Sequence, residues 1–226
     1  MKKTFLAIFT VVSINCFAQQ WTEYKVDSNL TVTLPDNYVI IDTLGQHIVK
    51  AQVANAFIMI QRLANAGKSA VNIQSKDELI KSYEGFQKGV VNSQNGKLIN
   101  QQVQEKAGLQ LTQFSFTAEM GEEKQIRHFF IIFFNENWYS ISFWEVEAFT
   151  NELKDDRNKF FSSIRFPEGS SLKENQFSNS VESSLAYKSG YLFGQIIAFS
   201  LMVGAVVAVV RWISKKGRRK KQQEAV

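Results

Sequence analysis

The sequence predicts an α+β fold: a mostly antiparallel sheet covered by helices, laid out as an α/β/α sandwich, followed by one C-terminal transmembrane helix. Three observations predict it. Four β-type runs follow one another between residues 97 and 146 with short turns between them, as antiparallel neighbours require. The third run is apolar on both sides, with Ile126, Phe130, Ile132 and Phe134 on one face and Phe129, Ile131 and Phe133 on the other. Such a strand needs cover above and below, and helices are the available material. Last, residues 192–210 carry no charge, and at about 1.5 Å per residue they span the ~30 Å hydrocarbon core of a bilayer.

The chain opens on Lys2 and Lys3, an apolar stretch at 5–14 and Cys16-Phe17-Ala18, with small residues three and one before a cut. Residues 1–18 therefore read as a cleaved secretory signal peptide. Lipid attachment at Cys16 is the alternative, for which Ser13 and Asn15 are poor neighbours. Cys16 is the one cysteine, so the remaining chain is expected to hold no disulfide and to take its stability from an apolar core.

An extracytoplasmic domain is expected over 19–166. Strands are predicted at 21–26 and 30–34, parted by Asp27-Ser28-Asn29, and at 47–54 and 56–63, parted by Asn55. Ser75-Lys76-Asp77-Glu78 has the form of a capping box. After it Leu79, Tyr83, Phe86 and Val90 recur at helical spacing, opposite Lys81, Glu84 and Lys88. Gly85 and Gly89 each cost that helix roughly 1 kcal/mol relative to Ala unless something packs closely on them. The meander follows as strands at 97–105, 109–119, 124–134 and 138–146. A second helix is expected at 151–163, capped by Thr150, with Glu152, Asp155 and Asp156 near its positive end.

This order resembles the PsbP-like superfamily of α/β/α sandwich domains. The similarity covers residues 21–166. It lies in Leu34-Pro35 at an early corner, a helix after the first strands, the long meander, and a closing helix that ends in Phe161-Ser162-Ser163-Ile164-Arg165-Phe166. The resemblance implies a non-catalytic module that docks on other proteins at a membrane surface, and it brings no binding residue with it.

Residues 167–190, rich in serine, read as a flexible linker; 191–213 as the transmembrane helix; and 214–226 as a basic tail. Tyr191 and Trp212 stand where aromatic rings favour the headgroup level. Arg211, Lys215, Lys216, Arg218 and Arg219 follow the apolar run, with two further lysines. By the positive-inside rule the tail is cytoplasmic and the domain faces outward, periplasmic on a cell's inner membrane. The formal charge of +5 is dominated by the signal and the tail, which leaves the outer region mildly acidic; a nucleic-acid partner is excluded on that ground.

Small residues recur every four positions at Gly190, Gly194 and Ala198, and again at Ser200, Gly204 and Ala208. Stripes of this kind bring helices close and point to self-association through the membrane helix.

The sequence carries few signatures of chemistry. Gly67-Lys68-Ser69 lacks the earlier glycine of a phosphate-binding loop, and no nucleophile elbow or zinc helix is present. His47 and His128 lie on different strands, and a catalytic or metal role would have to recruit Glu119 or Glu145 across the sheet. No catalytic residue, metal or cofactor is expected. Trp138, Tyr139 and Trp144 form the candidate interaction surface, a tryptophan pair flanking Ser140 and Ser142 on one side of a strand; packing in the core beneath a helix is the competing expectation for the pair. The expectation is a membrane-anchored accessory or protein-interaction module without catalysis, with the lipid bilayer and an envelope or membrane protein as partners. The alternative is a carrier that binds lipid or another apolar molecule among the nineteen phenylalanines.

Overall fold

The computed structural model describes residues 19–43, 45–65, 72–121, 123–177, 190–192 and 194–195. Its centre is a seven-stranded, wholly antiparallel sheet. β1 (Trp21–Lys25) and β2 (Thr31–Pro35) pair with each other as a separate hairpin, to which Arg165 adds an antiparallel bridge at Thr31. The sheet is built from β3 (Val39–Thr43), β4 (Gln46–Val53), β5 (Ala56–Ala64), β6 (Lys97–Lys106), β7 (Leu109–Met120), β8 (Glu123–Phe134) and β9 (Asn137–Val146). Its order is β3-β4-β5-β9-β8-β7-β6. The meander therefore runs back from the β6 edge to the middle of the sheet, where β9 pairs with β5 along its whole length. The two-faced strand β8 lies inside, and Phe129–Phe134 are all at most 1 % exposed.

One face of the sheet carries α1 (Lys76–Ser93). Ser75 Oγ accepts from the Glu78 N–H at 3.2 Å, while the Glu78 carboxylate reaches back to the Gln74 N–H at 2.7 Å, so the returning arm of the cap lands one residue earlier than the motif predicts. Leu79, Tyr83, Phe86 and Val90 are fully buried against Phe114, Phe116, Phe129, Phe133 and Trp138. The opposite face is covered only partly by helix. There the β1–β2 hairpin and α2 (Lys154–Ser162) share the work, with Val32, Leu34, Phe160 and Ile164 packed on Phe130, Ile132, Ile141 and Phe143. The two faces thus form separate cores, joined only through the sheet.

Three local expectations are corrected. β3 went unpredicted: all five of its residues are exposed, so no alternation of apolar and polar side chains marks it. α2 begins three residues later than expected, because Glu147–Phe149 first form a 3₁₀ turn. The Thr150 hydroxyl donates to the Glu147 carbonyl at 2.9 Å, within that turn, rather than capping the helix.

The domain also continues past Pro167, where a flexible linker was expected. A short helix α3 (Leu172–Asn175), capped by Ser171, brings Leu172 and Phe177 onto the α1-side core and places Gln176 at 0 % exposure. The reason lies in the sheet. β7 and β8 stop pairing at Thr112 and Ile131, and the Gln176 amide fills the next position. Its oxygen accepts from the Gln110 N–H at 2.6 Å, and its nitrogen donates to the carbonyls of Gln110 at 2.6 Å and Phe133 at 2.9 Å. The Tyr83 hydroxyl closes the same gap, donating to the Gln110 carbonyl at 2.8 Å and accepting from the Phe133 N–H at 3.1 Å. A side chain from after the expected boundary completes the main-chain hydrogen bonding of the core.

Candidate functional site

Trp138, Tyr139 and Trp144 do not form a surface: they are 0, 0 and 5 % exposed. The alternation along β9 sends Trp138 and Trp144 beneath α1 and Tyr139 to the other core. Trp138 stacks on Phe86 at 5.8 Å and meets the edge of Tyr83 at 5.9 Å. Trp144 donates from its indole nitrogen to Ser142 Oγ at 3.0 Å. The Arg127 guanidinium lies 4.2 Å above its ring, and burial pulls the pKa of Arg127 down to about 10. The serines between the tryptophans are buried too, and Ser142 donates to the Met59 carbonyl.

Tyr139 anchors the hairpin on the other face. Its hydroxyl donates to Asp27 Oδ2 at 2.7 Å and accepts from Asn29 at 3.1 Å, while Asp27 also receives Arg62 at 3.3 Å. Burial, with the neighbouring Asp27 carboxylate, raises the Tyr139 pKa well above the ordinary phenol range, so the hydroxyl remains a donor and acts as a structural tie.

The strongest polar constellation involves His128. Adjacent strands β7, β8 and β9 bring Ser115, His128 and Glu145 to one face, with Ser115 Oγ 2.8 Å from His128 Nδ1 and His128 Nε2 3.2 Å from Glu145 Oε1. Arg157 of α2 then donates to both Glu145 oxygens at 2.6 and 2.7 Å. Of the two carboxylates that the sequence offers this histidine, Glu119 and Glu145, it is Glu145 that meets it. Burial pushes the Glu145 carboxyl up, but the hydrogen bonds and charges of His128 and Arg157 outweigh it and hold the group below its ordinary value.

The sequence of groups is that of a serine, histidine and carboxylate relay, but its surroundings are those of a structural cluster. Ser115 is 7 % exposed in an interior strand, paired on one side to Asn100 and on the other to His128, so the neighbouring backbone N–H groups belong to the ladder and offer no oxyanion site. The carboxylate charge is answered by Arg157. A second relay of the same form, Asp42 to His47 at 2.6 Å and His47 to Tyr24 at 3.0 Å, ties the hairpin to the β3–β4 edge.

Among the described residues no three His, Asp or Glu side chains gather as metal ligands. Among the described residues, open depressions of about 280 and 360 Å³ lie at the surface. The first is lined by Glu23, Lys25, Asn29 and Arg165 among others, the second by Asp42, Thr43, Gly45, Gln46 and Arg62.

Gly190 and Gly194 do meet a helix, and it belongs to the same chain. Residues 190–192 and 194–195 are helical and lie on α1. A Cβ added at Gly190 would overlap the Ser82 carbonyl oxygen, one at Gly194 the Phe86 carbonyl oxygen, and one at Gly89 the Tyr191 carbonyl oxygen. This is the close packing that Gly89 of α1 required. Among the described residues no helix is long and apolar enough to cross a membrane. Ala198, Ser200, Gly204, Ala208, Arg211, Trp212, Lys215, Lys216, Arg218 and Arg219 lie outside the described residues, as do the signal at 1–18 and Gly67-Lys68-Ser69.

The class defined by these observations is an α+β domain built on an antiparallel sheet, with tightly packed aromatic cores on both faces. No known protein family matches the sequence, and no characterised protein does. In fold the chain is similar to the cyanobacterial PsbP protein CyanoP of Synechocystis sp. PCC 6803, at 10 % identity and a TM-score of 0.46 over 68 % of this chain and 96 % of that one. It is similar to the Ran-binding protein Mog1p of Saccharomyces cerevisiae, at 9 % identity and a TM-score of 0.41 over 67 and 97 % of the two chains. It is also similar to LpqN of Mycobacterium tuberculosis, a protein involved in cell envelope biogenesis, at 12 % identity and a TM-score of 0.41 over 66 and 91 %.

Proposed function

We propose that this chain is a membrane-anchored, extracytoplasmic accessory module that binds a protein partner through its surface and performs no catalysis. The observation that carries the reading is the filled interior. The aromatic side chains that a lipid carrier would use to line a cavity pack on one another instead: Phe114 on Phe129 at 5.2 Å, Phe116 on Phe129 at 5.6 Å, Phe133 on Trp138 at 5.4 Å. Packing of this kind fills space that an apolar ligand would need. Binding is then left to the outside, where both terminal strands of the sheet, β3 and β6, are almost wholly exposed and offer main-chain groups and apolar side chains to a partner. Anchoring rests on the apolar run at 192–210 and the basic residues after it.

The test is affinity purification of the full chain from solubilised membranes, with mass spectrometry of both proteins and lipids in the eluate. A protein recovered in stoichiometric amount, and lost when Ile40→Lys blocks the β3 edge, is the expected result. A stoichiometric lipid or other apolar molecule, with no protein partner, would replace this reading by the carrier.

A further inference from the structure

The first turn of the apolar run is laid along α1 in a definite direction. Gly190 sits over Ser82, and Gly194 over Phe86, Gly89 and Val90, so residues 190–192 and 194–195 run parallel to α1 and toward its C-terminal end. Gly89 on one side meets Gly194 on the other, four residues after Gly190, and small residues at such positions let two helix backbones approach. α1 ends at Ser93, and the chain turns through Gly96 directly into β6 at Lys97. The same end of the sheet therefore holds the start of β6, the β7–β8 turn, the end of β9 and the β4–β5 turn.

Exposed apolar side chains lie at that end, as others do along β3 at Val39, Ile40 and Ile41. The register aligns Phe57, Trp144, Arg127, Phe116 and Leu98 in one row across five strands. The flanks of the row are open, with Phe57 and Leu98 both 42 % exposed, and beside them Ile99 is 52 %, Met120 39 % and Phe149 39 % exposed. Charges at this end are mixed: Lys97, Glu119 and Glu123 are exposed, and Lys124 pairs with Glu147 at 2.8 Å.

We infer that the end of the domain at which α1 finishes faces the lipid headgroup layer, held there by the glycine contact between α1 and residues 190–195. The inference rests on the reading of 191–213 as the membrane helix, of which 196–213, about 27 Å long, is left to cross once the first turn lies on α1. Along a helix, Ser93 lies only about 6 Å beyond Gly89. That distance is comparable to the ~5–8 Å headgroup region on each side of the hydrocarbon core. A segment that enters the bilayer within a turn or two of Gly194 thus brings the end of α1 and the Leu98-Ile99 corner to headgroup depth. The mixed charges suit a zwitterionic surface and place the contact at the headgroups rather than in the hydrocarbon. The domain is then seated in one orientation, where the linker reading would let it rotate freely.

The test uses the full chain in phosphatidylcholine nanodiscs, with Cys16→Ser to leave one label site at a time. A fluorophore is placed at Ile99→Cys, and at Thr43→Cys on the opposite end of the sheet as the control. Quenching by a headgroup-nitroxide lipid should be at least twofold stronger at position 99 than at 43, and Gly194→Leu should abolish the difference. A chain that fails to co-elute with nanodiscs overturns the membrane reading and this inference with it. A chain that co-elutes but is quenched equally at both positions overturns the inference alone. So does a label at 99 shielded from aqueous iodide without headgroup quenching, which would assign that surface to a protein. A Gly194→Leu chain that retains the full difference would show that the glycine contact does not seat the domain.

Discussion

Gln176→Leu tests how far the folded unit extends. The side chain is fully buried and bridges β7 to β8 where their own pairing has ended. Leucine has similar bulk but no polar atoms, so the Gln110 N–H and the Phe133 carbonyl lose the partners that Gln176 supplies at 2.6 and 2.9 Å. The Gln110 carbonyl keeps Tyr83. An unsatisfied buried group costs about 1–3 kcal/mol, and two of them, partly offset by added apolar burial, come to about 3 kcal/mol. For a domain of this size that lowers Tm by roughly 6–12 °C. The assay is a thermal melt of the purified full chain, paired with limited proteolysis of the segment from Pro167 to Phe177. The variant should melt earlier and be cut in that segment first. A Tm within 1 °C of the parent, or cleavage there at equal rates in both proteins, would refute the reasoning and return the boundary to Phe166.

Other outcomes follow from the same geometry. Glu145→Gln removes the charge of a buried pair, where loss of one partner costs about 3–5 kcal/mol near neutral pH. Because the Glu145 carboxyl is held below its ordinary value, its contribution is present above that value and lost as pH falls through the lower folded one. The gap in Tm between parent and variant should therefore close below about pH 5; parallel curves down to the acid limit would contradict this. Trp138→Ala should cost about 3–5 kcal/mol in urea unfolding, because the ring is fully buried beneath α1; a loss of partner binding at unchanged stability would restore its reading as a surface. Gly89→Ala gives a test of sign. In an exposed helix Ala gains about 1 kcal/mol over Gly, but here the methyl meets the Tyr191 carbonyl oxygen, so the full chain should lose stability, and a gain would show that the contact with residues 190–195 is absent.

What the sequence determined by itself is whatever depends on local pattern. Period-two alternation and the two-sided apolar strand specified the meander from β6 to β9 and the division of β8 and β9 side chains between two faces, because side-chain direction along a strand follows from position alone. Ser75, Glu78 and the spacing of Leu79, Tyr83, Phe86 and Val90 placed α1 for the same reason. Alternation tells two sides apart but not which is covered, so the burial of Trp138, Tyr139 and Trp144 awaited the packing of α1 and the hairpin. The missing information is long-range. Gln176 meets Gln110 across 66 residues, His128 meets Glu145 only through the register of β8 on β9, and Gly89 meets residues near 194, over a hundred positions on. Such contacts arise when separate strands and helices stack to satisfy groups that no neighbour in sequence can reach, and only the tertiary structure decides them.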